Sequence, residues 1–378
     1  MSPSKATLTQ APGILPSQEL RQAIADGVIG SADQIAIGEA QVQPASLDLR
    51  LGRTAYRVRA SFLPGEERSV AQKLADFQMY EVDLRHGAIF ERNCVYIVPL
   101  LESLHLPPGM QAFANPKSST GRLDIFARLI TDHGTAFDRV REGYQGPLWA
   151  EICPHAFSIA AHAGSRLLQL RLQRGEAAWN DHAMRRLHAA SPLVDGDLQA
   201  EKIERGVPFS IDALGATRNG LVGFKARRNA PIIDVNKIAA YDPFDFWDPI
   251  RARAGEGIIL DPDDFYILAS KESVVVPDDH AAEMLPYDIS AGEFRVHYAG
   301  FFDPGFGMAE TGGAGSKAVL EVRSRDVPFM VEDGQIVGRL VYQPLTTKPD
   351  KLYGTPIGSS YQSQGLALGK QFKPYTHG

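Results

Sequence analysis

Cysteine is nearly absent: Cys94 and Cys153 are the only two in 378 residues, and both sit inside apolar, strand-like runs. That scarcity excludes a disulfide framework and reads as two buried free thiols of a reducing compartment. It also removes the cysteine ligands of a zinc site, and the ten histidines show no ligand spacing. Long apolar runs are missing too. None reaches the length of a membrane span, and Met1–Gln10 lacks a signal peptide's apolar core, so a cytoplasmic location and no membrane partner are expected. Basic charge is not in excess: 39 Lys and Arg against 45 Asp and Glu leave a formal net charge of −6. A non-specific nucleic-acid binder needs a basic face and is excluded on that ground. A compact anionic ligand stays open, because a local cluster can be positive on an acidic protein.

What is present is ample apolar content, 44%, over a length that suggests two or three domains at about 150 residues each. Ser17 offers an N-cap, Leu20, Ala23 and Ile24 an apolar stripe, and Gly27 a stop, which predict one short helix. In Ala45-Ser-Leu-Asp-Leu-Arg-Leu-Gly52 the leucines alternate with Asp48 and Arg50, the pattern of a half-buried strand. From Val82 to Gln173 short strands such as Val95 to Leu101, Leu148 to Cys153 and Leu167 to Leu172 alternate with Gly and Pro turns. This texture predicts a β-sandwich or jelly-roll-like barrel. A polar segment with helical spacing, Ala177 to Ala190, reads as a linker.

The pattern then restarts. Phe209-Ser-Ile-Asp212 echoes Ala45-Ser-Leu-Asp48, Tyr266-Ile-Leu echoes Tyr96-Ile-Val, and Glu321 in Ala318-Val-Leu-Glu-Val echoes Glu151 in Leu148-Trp-Ala-Glu-Ile. The tyrosines and the glutamates share one offset (266 − 96 and 321 − 151 both give 170). A tandem duplication of one β domain is the reading. The expected boundaries are 1–175 for the first domain, 176–195 for a linker, 196–345 for the second domain and 346–378 for a tail.

Chemistry concentrates in Lys117-Ser-Ser-Thr-Gly-Arg122. Cationic side chains, adjacent hydroxyls and a glycine within six residues suit a polyphosphate, and also suit an ordinary polar turn. The corresponding stretch of the second copy, Tyr287 to Gly292, lacks the cation pair. The second copy instead carries Ala299-Gly-Phe-Phe-Asp-Pro-Gly-Phe306, a compact turn among aromatics. Each copy lacks what the other kept, so one composite site is expected, with a phosphate grip from the first half and a base pocket from the second. Gly312-Gly-Ala-Gly-Ser-Lys317 fails as a P-loop on spacing, and a strand follows where a helix should begin.

These motifs, with Val319-Leu-Glu321 and the tail Tyr361-Gln-Ser-Gln364, resemble the dCTP deaminase and dUTPase superfamily, and bacterial dCTP deaminases in a duplicated, long form most of all. The resemblance covers most of the chain. It implies a mainly β fold of two tandem dUTPase-like distorted β-barrel domains with a few short helices. It also implies hydrolytic deamination of dCTP to dUTP and ammonia, with the nucleotide bound as its Mg2+ complex and a C-terminal tail closing as a lid. By position, Lys117, Ser118, Ser119, Thr120, Gly121 and Arg122 resemble the loop that holds phosphates and positions water. Ala299, Asp303 and Phe306 resemble the pyrimidine and deoxyribose pocket. Tyr353, Tyr361, Gln362 and Gln364 are the expected contacts from the tail. Lys117 stands where the family usually has arginine, so a bidentate contact becomes a point charge.

Deamination at C4 of cytosine needs a water, a base and an acid. A zinc deaminase signature of the P-C-x-x-C kind is missing, so a carboxylate shuttling one proton is expected. Glu321 shares a strand face with Val319 and Arg323, opposite an apolar face of Ala318, Leu320 and Val322. Glu151 has the same pattern and remains the rival; Glu321 is preferred because the pocket turn lies in its half. A dUTPase or a bifunctional enzyme, and a non-catalytic nucleotide-binding regulator, are the alternatives. Two barrels in one chain permit a monomer or a small homo-oligomer.

Overall fold

A computed structural model describes residues 11–375 apart from 33–34, 178–179, 197, 216–218, 253–256, 286–293, 298–299, 314, 325, 355–360 and 363–364, together with the side chains of 294–297. The fold is mainly β, with 41% strand against 12% helix. In the first half, one sheet runs Gly13–Ile14, Leu168–Arg174, Met110–Pro116 and Arg139–Val140, with Leu47–Leu49 also pairing Leu168–Arg174. A second sheet orders Gln78–Asp83, Thr54–Val58, Val95–His105, Gln145–Pro154 and Ile125–Thr131, with Ile29–Ser31 on Val95–His105.

The second half repeats this plan. One of its sheets orders Val207–Ser210, Ile336–Pro344, His280–Leu285 and Phe301–Phe302. The other orders Trp247–Arg251, Leu221–Ala226, Phe265–Val274, Ser316–Ser324 and Phe294–His297. The repeat extends to register. Ile97 pairs with Glu151 and Ile267 with Glu321, again 170 residues apart (267 − 97 and 321 − 151). The hydroxyl of Tyr96 accepts from the Glu91 backbone N–H at 3.2 Å, and that of Tyr266 accepts from the Asp261 N–H at 2.8 Å.

The halves are not separate bodies. The largest apolar cluster combines Leu47, Val98, Leu129 and Ile152 with Phe224, Trp247, Phe265 and Ile267, so it crosses from one half to the other. A smaller cluster joins Phe209, Tyr266, Leu320 and Tyr342. The chain also crosses over at sheet edges, where Ile159–Ala161 pairs in parallel with Ile233–Asp234.

Two local expectations change and a third gains detail. The first helix is Ser17–Ala25, with Pro16 at the N-cap position; Ser17 lies inside it and bonds Asp350 instead. The strand around Leu47–Leu49 is buried on both faces, because a cavity wall and Lys117 cover Asp48. The 177–190 segment contains a helix, Asp181–Ala190, capped by the Asn180 side chain, which accepts from the Ala183 N–H at 2.8 Å. Met184 of that helix is buried in the second cluster.

Candidate active site

The strand Met110–Pro116 delivers Lys117 to a single helical turn, Ser118–Gly121. Lys117, Ser118, Ser119 and Arg122 face a cavity of about 300 Å3. Thr120 and Gly121 are buried and do not line it: the Thr120 hydroxyl donates to the Leu167 carbonyl at 2.9 Å and locks the turn in place. Across the cavity stand Gly300, Phe301, Phe302, Asp303 and Phe306. Asp303-Pro-Gly-Phe306 forms a tight turn in which the Phe306 N–H donates to the Asp303 carbonyl at 3.1 Å. Gly305 sits at φ +94°, and a Cβ there would stand 2.9 Å from the Leu352 side chain and the Tyr353 carbonyl, so only glycine fits.

The strand Ser316–Ser324 turns Ala318, Leu320 and Val322 into the core and Val319 and Glu321 into the cavity. Glu321 is buried, and burial raises its pKa from 4.5 to about 8, against a smaller opposing effect of the Arg122 charge. Glu151, by contrast, lies outside the cavity. Its carboxylate accepts from Arg128 Nε at 3.1 Å and forms a second contact with Nη2 of the same guanidinium.

The tail supplies the remaining wall. Tyr353 and Tyr361 line the cavity, with the Tyr353 ring 5.7 Å from Phe306 and the Tyr361 ring 3.8 Å from the Arg122 guanidinium. Arg122 also donates to the Ala367 carbonyl at 3.0 Å. Gln362 is outside the lining and acts as a tie: its amide donates to the Thr311 hydroxyl at 2.7 Å and accepts from the Gly307 N–H at 3.3 Å. Around Phe372 the tail is anchored, with Phe372 buried and the Lys373 N–H donating to the Tyr241 carbonyl at 2.9 Å. Ala299, Gln364 and the stretch Tyr287 to Gly292 fall outside the described residues.

Several lining residues had no role assigned from sequence. Asp48 pairs with Lys117 and lies 3.5 Å from Arg166. Lys370 reaches the same wall from the tail, its pKa lowered first by burial and then by the Lys117 charge. Four cations, Lys117, Arg122, Arg166 and Lys370, thus line one cavity. Asp48 carried a signal, an acid between strand leucines; nothing around Arg166 marks it. Among the described residues no group of three or more His, Cys, Asp or Glu could hold a metal ion, and no helix is long and apolar enough to cross a membrane.

Two family models account for nearly all of this chain. Residues 11–176 match the N-terminal domain of 2'-deoxycytidine 5'-triphosphate deaminase, and residues 180–372 match its C-terminal domain. The chain belongs to the dCTP deaminase family. A solved relative in that family, the 2'-deoxycytidine 5'-triphosphate deaminase from Agrobacterium tumefaciens, is 52% identical. It superposes with a TM-score of 0.83 over 88% of this chain and 99% of its own. Shorter family relatives align with about half of the chain. The "dCTP deaminase, dUMP-forming" of Halobacterium salinarum is 32% identical over 46% of this chain and 85% of its own length. The "dCTP deaminase" of Natronomonas pharaonis is 29% identical over 47% of this chain and 82% of its own.

Proposed function

We propose that the chain hydrolyses dCTP to dUTP and ammonia, taking its substrate as the magnesium complex, at one composite site between two tandem β-barrel domains. The observation that carries this reading is Glu321, buried in the cavity between the halves with its proton held up to about pH 8. At neutral pH that carboxyl meets the substrate protonated. It gives its proton to N3 of the ring, and the carboxylate left behind takes a proton from water as the water oxygen bonds to C4. That proton passes to the exocyclic amine, the C4–N bond breaks, and ammonia leaves. Glu321 recovers its proton from the C4 hydroxyl as the carbonyl forms. Ser118 and Arg122 orient the water and the carboxylate. Lys117, Ser119 and Arg122, joined by Arg166 and Lys370, offset the phosphate charge, while Asp303 and Phe306 bound the sugar and the ring. Tyr353 and Tyr361 exclude bulk water.

The printed names of relatives favour a second reading, in which the same site also releases pyrophosphate and yields dUMP. Product analysis of the purified protein with dCTP, and separately with dUTP, separates the two. Ammonia and dUTP from dCTP, with dUTP untouched, support the monofunctional reading. Ammonia together with dUMP and pyrophosphate supports the second. Nucleotide binding with no product overturns both and leaves a non-catalytic regulator.

A further inference from the structure

Arg171 lies on the strand Leu168–Arg174 of the first half, between Leu170 and Leu172, which point into the core. Alternation would leave it on the solvent side. It is instead 1% exposed, because the second half covers it. Both of its terminal nitrogens donate across that junction. One donates to the Ala282 carbonyl at 2.9 Å; the other donates to the Phe302 carbonyl at 2.9 Å and to Asp303 Oδ1 at 3.2 Å. The guanidinium also stacks 4.0 Å from the centre of the Phe301 ring. One first-half side chain therefore grips three consecutive residues of the second half, Phe301, Phe302 and Asp303, and all three line the cavity. Arg171 itself does not.

We propose that Arg171 is a positioning residue for the nucleotide: it clamps the Phe301–Phe306 turn from the other half of the chain and, by charge and hydrogen bond, holds the Asp303 carboxyl on the cavity wall as a hydrogen-bond acceptor. A buried carboxylate is stable only when paired, and lysine could not reach both backbone carbonyls and the carboxylate with one planar fork. Burial raises the Asp303 pKa above the ordinary carboxylate value and Asp48 adds to that push; Arg171, by its charge and its hydrogen bond, is the strongest effect opposing the rise, with help from Lys117. Glu283, on the strand His280–Leu285, faces Arg171 and favours its charge, and Tyr353 stands on the tail side of Asp303. Among the described residues the Arg171 Nε is buried without a hydrogen-bond partner, a desolvation cost that a purely apolar junction would avoid.

The inference rests on the cavity being the dCTP site, and its test reads binding so that it survives a failure of the deaminase assignment. Binding of magnesium–dCTP is measured by titration calorimetry from pH 6 to 9, every chain carrying Glu321→Gln to block turnover, for the otherwise native chain, Arg171→Met, Arg171→Lys and the double change Arg171→Met with Asp303→Asn. In Arg171→Met, Asp303 takes up a proton as pH falls. The ratio of its Kd to the native Kd is expected to climb by up to about tenfold per pH unit below the new pKa. Arg171→Lys keeps the charge, so it should bind more weakly by a ratio that does not vary with pH. The double variant, having nothing left to titrate, should also give a flat ratio. A pH-independent ratio for Arg171→Met, or native binding in that variant, overturns the proposal. Should Arg171→Met not fold, Arg171→Gln, neutral yet able to donate to a backbone carbonyl, takes its place, and a pH-independent ratio or native binding there overturns the proposal equally. Failure to bind dCTP in the native chain would instead remove the functional reading on which it rests.

Discussion

Glu151 and Glu321 occupy the same place in two strand ladders, 170 residues apart, each paired in register with an isoleucine of the neighbouring strand. Both are almost fully buried. The strand beside Glu151 offers Arg128, directly across in register, and the carboxylate is consumed in an ion pair. Glu321 makes no ion pair among the described residues and faces the cavity, where burial lifts its pKa to about 8. Strand geometry alone thus does not decide what such a carboxylate faces. A carboxylate taken up by a guanidinium outside the cavity is not free to meet a ligand, whereas one desolvated at the cavity wall is. The same contrast holds for the loops: the Lys117–Arg122 grip belongs to the first half and the Asp303 turn to the second, and they meet only because the halves pack on one core.

The sharpest break of this comparison is Glu321→Gln, which keeps shape and removes the titrating proton. It should lower kcat for ammonia release at least about a thousandfold while Kd for dCTP changes little. Glu151→Gln should do the reverse. It strands Arg128 against a buried neutral partner, and a loss of roughly 1–3 kcal/mol in unfolding free energy is expected, discounted because Arg128 is partly exposed. Its kcat should stay within about threefold of native, as a readout in urea and in the ammonia assay would show.

A third effect concerns pH. The folded Glu321 holds its proton to about pH 8, whereas the unfolded carboxyl releases it near 4.5. Between those values the folded chain binds more protons than the unfolded one, so native stability falls as pH rises, by up to about 1.4 kcal/mol per unit. Glu321→Gln lacks that liability. Denaturation midpoints should show it gaining on the native chain from about pH 4.5 to 8, with a constant gap above. The smallest expected effect is Tyr361→Leu, which removes the ring stacked on Arg122. A contact of about 1 kcal/mol corresponds to roughly a fivefold rise in KM for dCTP.

Local chemistry made some of this legible in the sequence. The Asp303-Pro-Gly turn was readable because proline and glycine each satisfy one dihedral requirement of it, and Gly305 takes the positive φ that the motif implies. The alternation through Val319 and Glu321 was readable because strand periodicity is local as well. Arg171, Arg166 and Lys370 were not readable in the same way. Their burial and partners depend on docking of segments far apart in the chain, as with Arg171 and Asp303 at 132 residues' separation. The rivalry between Glu151 and Glu321 stayed open for the same reason, since the strand pattern is identical and only the facing side chain differs. Thr120 looked like one more hydroxyl for a phosphate, yet its partner is the Leu167 carbonyl, 47 residues later in the chain.

The most direct measurement is a crystal structure of the Glu321→Gln variant soaked with magnesium–dCTP. The account predicts the pyrimidine seated between Phe306 and the Ser118 turn, with N3 or the exocyclic amine within about 3.2 Å of the side-chain amide at position 321, and the phosphates against Lys117, Arg122, Arg166 and Lys370. A base bound beyond reach of that amide, or placed against Glu151 with the Arg128 pair opened, would contradict it.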